Sequence, residues 1–189
     1  MLENIRVLDI SNQLGWLAGR IFSDLGAEVI KVEPTVSSKN DNDWRANNIS
    51  KQFLLLDLNA PDGRKEFDRL VPKFDILIET AAPGSDLAGF LNPERLANLN
   101  AGLIHVSITP FGRSGPRAEW RASDIEIMAA SGAMSLAGER EGTPLRVSVP
   151  QSGSWAGAHA AAGALVALID RNNSGLGQLV EVSAQASII

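Results

Sequence analysis

Few side chains in this sequence are of the types that carry out covalent or proton-transfer chemistry. Ser152 and Ser154 are potential nucleophiles, but no Gly-x-Ser-x-Gly turn surrounds either of them. We therefore expect one of the two serines to cap a helix that begins there. His105 and His159 could transfer protons, yet both are flanked by small or apolar residues. That setting is typical of an interior histidine whose hydrogen bond is satisfied.

An acidic residue, Glu33, stands at the end of the second predicted strand, within a strand-turn-helix-strand pattern at residues 5–34. In nicotinamide enzymes an acid at this place binds the ribose, but those enzymes also carry a Gly-x-Gly-x-x-Gly turn. Here the turn is Ser11-Asn-Gln-Leu-Gly15-Trp16, which has no glycine cradle for a pyrophosphate. A nicotinamide enzyme is thus a disfavoured alternative, and a solvated carboxylate is the simpler interpretation of Glu33.

Composition excludes several other classes of function. The chain has 189 residues and no cysteine, which rules out disulfides and thiolate metal sites, and no histidine pair has the spacing of metal ligands. A formal net charge of −5 disfavours nucleic acid and anionic membranes as partners. No signal peptide is visible, and the longest apolar stretch, residues 160–169, is too short to span a bilayer. We expect a cytoplasmic protein.

The elements that position these residues alternate along the chain. Strands are predicted at residues 5–10, 28–32, 53–58, 75–79, 103–108 and 179–183, and helices at 17–25, 61–70, 124–136 and 155–170, with a short helix opened by Asn92. Residues 35–48 are polar without periodicity, which predicts a surface loop. The alternation predicts an α/β fold, a Rossmann-like and mainly parallel sheet flanked by helices. Residues 1–183 are expected to form one large domain, and residues 184–189 to begin a truncated following element.

Six motifs run in order through almost the whole chain. They are RVLDIS (residues 6–11), DLGAEVIKVEP (24–34), LDLNAPDGR (56–64), DILIETAAPG (75–84), SITPFGRSGP (107–116) and SGLGQLVEVS (174–183). The set resembles the class III CoA-transferase family, which includes formyl-CoA transferase, carnitine CoA-transferase and α-methylacyl-CoA racemase. The resemblance implies the N-terminal part of a protein about twice as long, with a CoA thioester as substrate and no covalently bound cofactor. It also implies a homodimer, or pairing with a catalytic copy or with the missing C-terminal half.

The resemblance places a catalytic aspartate where this chain has Gly153. In the family's transferases that aspartate attacks the acyl-CoA thioester and forms a mixed anhydride, which the CoA thiolate converts to an aspartyl-CoA thioester. Residues 142–169 hold no aspartate or glutamate, so a small alignment shift supplies no substitute. In the racemase branch a histidine precedes an aspartate, and here Ser123 precedes Asp124. We expect this chain alone to be an inactive CoA-transferase, a pseudoenzyme. The alternative function is a non-catalytic scaffold for a tandem or paired catalytic copy.

The resemblance also marks positions for CoA. Gln13, Leu56, Thr80 and Phe111 match the family's nucleotide-binding positions, although Thr80 stands where asparagine is usual. Weakened binding is expected because Pro34 and Ala88 occupy positions at which formyl-CoA-transferase-like members carry phosphate-binding arginines. The cations that could compensate are Lys31, Lys39 and Arg113. Trp16 replaces a usual proline, and its bulk is expected to narrow the mouth of the site.

Overall fold

A six-stranded sheet forms the centre of the computed structural model, which describes residues 1–34 and 42–188. The strands are β1 (Arg6–Asp9), β2 (Glu28–Glu33), β3 (Gln52–Leu55), β4 (Ile76–Glu79), β5 (Ile104–Thr109) and β6 (Leu179–Ser183). All neighbouring strands are parallel, and their order is β3-β2-β1-β4-β5-β6. The predicted α/β fold with a parallel sheet is confirmed.

Helices lie on both faces of this sheet. Within the described residues they are α1 (Trp16–Asp24), α2 (Asn42–Asn48), α3 (Pro61–Leu70), α4 (Asp86–Phe90), α5 (Pro93–Leu99), α6 (Asp124–Ala130) and α7 (Ser152–Ser174). Short 3₁₀ turns occupy Val71–Lys73, Ala133–Leu136 and Ala186–Ile188. The last of these turns lies in the segment expected to begin a further element, and the domain boundary proposed there stays a prediction.

The central strands are buried throughout because both faces of the sheet are covered. All four residues of β4 and all six of β5 are buried. Val7 and Ile76 pack with α1 and α7 on one face, and Leu8 and Leu77 pack with α3 and α5 on the other. With both faces used for packing, the carboxyl ends of the strands are the edge at which a ligand site can form.

Helix α7 is the longest helix, and its inner face consists of small residues. Ala160 is fully buried, and a Cβ added at Gly157 would lie 2.9 Å from the Cβ of Leu17 in α1. The helix exceeds the predicted residues 155–170 at both ends and stops at Gly175, whose φ of +72° is left-handed. By length and composition alone α7 could cross a membrane, and 44% of its apolar window is buried within this fold.

The predicted surface loop at residues 35–48 is wrong in its second part, where Asn42–Asn48 form α2. Tertiary contacts hold this polar helix in place. The ring of Trp44 stacks on the ring of Phe53 with the centroids 5.4 Å apart, and Arg20 Nη1 donates a hydrogen bond to the Ala46 carbonyl. Residues 35–41, which include Lys39, lie outside the described residues.

Two further boundaries differ from the sequence predictions. The helix predicted at residues 124–136 ends at Ala130, because Gly132 adopts a left-handed φ of +83° before a 3₁₀ turn. Strand β3 ends at Leu55, so residues 56–58 of the predicted strand lie outside the sheet ladder, although Leu56 N still donates to the Glu33 carbonyl. Helix α4 was not predicted, and its start is capped by the Ser85 hydroxyl.

Candidate functional site

The strand order reverses between β1 and β4, and a cavity of about 380 Å³ opens at the carboxyl ends of β1, β2 and β4. In open parallel sheets this reversal point is where ligands bind. The walls of this switch-point cavity include Trp16, Lys31, Glu33, Thr80 and Ser85. Sequence reasoning selected Thr80 as a binding residue, treated Trp16 as a departure from the family and Glu33 as a solvated carboxylate, and did not single out Ser85.

A buried ion network lies behind this cavity. Lys51 Nζ donates to Asp9 Oδ2 at 2.7 Å, to the Trp16 carbonyl at 2.9 Å and to Asn48 Oδ1 at 2.8 Å. Lys31 Nζ donates to the Ser11 carbonyl and lies 3.5 Å from Asp9 Oδ1. Both ammonium groups are therefore held by acceptors of this chain, and Lys31, named above as a cation that could compensate for the missing arginines, is only 1% exposed.

Burial and charge oppose each other in this network. Burial alone would raise the pKa of Asp9, but the ammonium groups of Lys31 and Lys51 and hydrogen bonds from Lys51 and Ser11 hold it below the ordinary value of 3.8. Burial lowers the pKa of Lys51 below its ordinary value, although the Asp9 carboxylate acts in the other direction. The network connects β1, α1 and the segment before β3 through the Lys51 ammonium.

Glu33 also belongs to the cavity wall. Its side chain sits at the end of β2 and is only 8% exposed, so the interpretation as a solvated strand-end carboxylate is wrong. The charge of Glu33 acts on Lys51, which places this carboxylate within electrostatic reach of the ion network. It is a buried acid at the place where dinucleotide-binding folds hold a ribose.

The start of α7 packs closely against the first turn of the chain, which joins β1 to α1 and includes Gln13 and Leu14. An ideal Cβ at Gly153 would lie 2.5 Å from the Gln13 carbonyl oxygen and 3.5 Å from the Leu14 Cα. The cavity between them, lined by Gln13, Gly153, Asp124 and others, measures only about 30 Å³. That is room for about one or two water molecules.

Asp124, which precedes α7 by 28 residues in the sequence, caps the start of this helix. Its Oδ1 accepts hydrogen bonds from Gln151 N at 2.7 Å, from Ser152 N at 2.8 Å and from Ser152 Oγ at 2.8 Å. The prediction that Ser152 or Ser154 is the N-cap is wrong, since the cap position is Gln151 and its side chain makes no capping bond. Asp124 Oδ2 is buried without a hydrogen-bond partner among the described residues.

The two histidines behave differently from what was expected. His159 is exposed, and its Nδ1 lies 2.9 Å from the Trp155 carbonyl. His105 is buried as predicted, but within the described part of the chain neither ring nitrogen has a hydrogen-bond partner. Its Nε2 lies 3.4 Å from Glu79 Oε1, which is also 3.5 Å from Arg113 Nη1. The chain places no group of three or more acidic or histidine side chains around a metal position in residues 1–34 and 42–188.

Comparison with known proteins gives this site its context. The sequence model of CoA-transferase family III matches residues 2–189. The chain belongs to this family.

Two curated family members illustrate the match. The chain is 35% identical, over 96% of its length, to the BbsE subunit of succinyl-CoA:(R)-benzylsuccinate CoA-transferase from Thauera aromatica. It is 32% identical, over its whole length, to succinyl-CoA–D-citramalate CoA-transferase from Chloroflexus aurantiacus. The matches cover 48% and 50% of those proteins, so the chain spans about half the length of these relatives.

Solved structures of the family superpose closely on this chain. A CAIB/BAIF family protein from Brucella suis matches with a TM-score of 0.86 at 29% identity, over 98% of this chain and 53% of that one. The protein Rv3272 from Mycobacterium tuberculosis matches with a TM-score of 0.88 at 29% identity, over 99% of this chain and 55% of that one.

The structure does not bring the four family-derived CoA positions into one cavity. Thr80 lines the switch-point cavity, and its hydroxyl accepts a hydrogen bond from Asn12 N at 2.9 Å. Gln13 lies instead beside Gly153 in the small cavity at the start of α7. Leu56 packs on the core. The rings of Phe111 and Trp120 meet edge-on, with their centroids 6.2 Å apart. Their roles in CoA binding stay predictions.

Proposed function

We propose that this chain is a CoA-transferase family III domain that forms no acyl-enzyme on its own. The observation that carries the proposal is the approach of Gly153 to the Gln13 carbonyl, where even a Cβ would stand 2.5 Å from the oxygen. The names of its relatives describe transfer of CoA between carboxylic acids. We propose that this chain shares their ligand class, a CoA thioester, but does not catalyse CoA transfer on its own.

The close packing around Gly153 means that a single substitution to aspartate would not restore the family's site. A side chain at position 153 would have to displace the backbone of the first turn, because the contact is with a main-chain oxygen. The cavity of about 30 Å³ beside it leaves no space for an acyl group. Restoring an aspartate therefore requires a rearranged turn as well as a new residue.

Asp124 does not replace the lost nucleophile, although it reaches the same helix start. Its Oδ1 is occupied by three hydrogen bonds from Gln151 and Ser152. Its Oδ2 is buried, with no surface from which to attack a thioester. Asp124 serves as a cap for α7.

The test is an exchange assay with the chain alone. We expect no transfer of label from free succinate into succinyl-CoA, either by the wild-type chain or by Gly153→Asp, since the substituted aspartate meets the Gln13 carbonyl. Succinyl-CoA–D-citramalate CoA-transferase from Chloroflexus aurantiacus serves as the positive control. Exchange by the wild-type chain above the enzyme-free rate would contradict the proposal.

Pairing with a catalytic family chain is the second candidate function, and the outer face of α7 favours it. Trp155, Val166 and Ile169 are 49%, 66% and 65% exposed, and their spacing places them in an apolar stripe along one face of the helix. Exposed apolar stripes of this kind mark protein interfaces. Association of this chain with a full-length relative in sedimentation velocity would support the scaffold function, and separate sedimentation at all concentrations would contradict it. The homodimer and the cytoplasmic location stay predictions.

A further inference from the structure

The outer stripe of α7 consists of apolar side chains that recur at intervals of three and four residues. Its members are Trp155, Ala158, Ala162, Val166 and Ile169, all of which are exposed. Residues at these intervals lie on one face of a helix. Two helices pack along each other when their contact residues follow this spacing over several turns. The stripe therefore has the pattern of a helix–helix contact.

The spacing of the stripe is symmetric about Ala162. Trp155 and Ile169 each lie seven residues from Ala162, and Ala158 and Val166 each lie four residues from it. A two-fold axis beside Ala162 would place an antiparallel copy of α7 with its Ile169 at the height of Trp155. The same axis would place Val166 of the copy at the height of Ala158. The stripe is thus complementary to itself, as a two-fold symmetric interface requires.

The charges of α7 favour this antiparallel arrangement. Residues 147–169 contain no Asp, Glu, Lys or Arg, so no charged side chain of the stripe opposes the contact. Asp170 follows directly and is exposed. Antiparallel pairing separates the Asp170 carboxylates of the two copies by about 24 Å along the helix axis and opposes the helix dipoles. Parallel pairing would place both carboxylates at the same end and align the dipoles.

We infer that the outer stripe of α7 is the contact between two copies of this chain, which pair antiparallel about a two-fold axis beside Ala162. The small side chain of Ala162 at the centre allows the two helix axes to approach closely. Trp155 and Ile169 cover each other at both ends of the contact. A catalytic relative that used the same face would have to displace the second copy.

Sedimentation equilibrium of the full chain tests the pairing. The rise from Trp155 to Ile169 is only about 21 Å, which is small for a protein interface, so we expect a reversible dimer at about micromolar concentrations. Ala162→Glu should weaken self-association at least about tenfold, because it sets two carboxylates against each other at the axis. Ala97→Glu is the matched control, since it makes the same change at an exposed position of α5 on the other face of the sheet. The control should dimerise like the wild type, and circular dichroism checks that both variants fold.

Crosslinking tests the orientation, because the chain has no native cysteine. Ala158→Cys and Val166→Cys chains are treated with a short thiol–thiol crosslinker, separately and mixed, and are then run on a denaturing gel. We expect little crosslinked dimer from either variant alone and several-fold more from the mixture. Parallel pairing would give the reverse, since each cysteine would then face its own counterpart.

Three results would overturn the inference: a monomer at all concentrations, self-association that Ala162→Glu leaves unchanged, or crosslinking of each cysteine variant mainly with itself. A monomer that binds only a full-length catalytic relative would also overturn it and would assign this face to the scaffold function. None of these outcomes bears on the proposed lack of an acyl-enzyme, which the exchange assay decides by itself.

Discussion

At the scale of a single residue, Gly153 occupies a position at which packing leaves no room for a larger side chain. The family resemblance points to this position from the sequence alone. The contact of Gly153 with the Gln13 carbonyl could not be predicted, because the two residues are 140 positions apart and nothing local encodes the approach of α7 to the first turn. Without that contact, the glycine would read as a simple substitution.

Replacing Gly153 by alanine should destabilise the fold. The new Cβ would lie 2.5 Å from the Gln13 carbonyl oxygen, and overpacking of this kind costs about 1–3 kcal/mol of the free energy of unfolding. Gly89→Ala in α4 is the matched control, since a Cβ there meets nothing within 4 Å and should leave stability equal or slightly higher. Urea unfolding of both variants is the measurement. Equal stability of the two would show that the first turn moves aside freely.

Asp9 makes the stability of the chain sensitive to acid. Its folded pKa lies below the ordinary 3.8. Between the folded pKa and the ordinary value of 3.8, the unfolded state therefore binds more protons than the folded state. Stability is lost as the pH falls through this range. Asp9→Asn should be less stable at neutral pH and should lose less stability between pH 4.5 and 2.5. The measurement is urea unfolding across that range. Parallel pH curves for wild type and variant would contradict the assignment.

Elements with clear periodicity could be predicted from the sequence, and polar elements could not. Strands β4 and β5 are rich in apolar residues and buried along their length because both sheet faces are covered, and their positions agree with the prediction to within a residue. Helix α2 has no apolar period and depends on contacts with α1 and β3, including the Trp44 ring on Phe53. Only the folded arrangement reveals such an element.

The start of α7 depends on a cap from a different helix. Asp124→Ala removes the acceptor for two backbone amides and for the Ser152 hydroxyl, and should lower the free energy of unfolding by about 1–2 kcal/mol. Amide exchange at residues 151 and 152 should accelerate in parallel. Asp170→Ala, near the carboxyl end of the same helix, should be neutral or slightly stabilising, because an acid is unfavourable there. Unchanged amide exchange in Asp124→Ala would exclude the cap.

At the scale of the whole molecule, the chain combines a family fold with close packing around Gly153 and an open cavity at the carboxyl ends of β1, β2 and β4. The fold and the family could be predicted from six motifs, because they mark strand ends and turns that the fold requires. The gathering of Trp16, Lys31 and Glu33 around one cavity could not, because it depends on the strand order and on the ion network of Asp9 with Lys51. These three residues come together only in the folded structure, at the carboxyl edge of the sheet.

Hydroxylamine trapping tests the central claim most directly. The chain is incubated with succinyl-CoA and then with hydroxylamine, which converts an acylated or CoA-bound carboxylate into a hydroxamate on that residue, and peptide mass spectrometry locates the product. The closed contact of Gly153 with Gln13 and the buried state of Asp124 predict no hydroxamate on any residue, while a full-length catalytic relative treated in parallel shows one. A hydroxamate on any residue of this chain, Asp124 above all, would contradict the account.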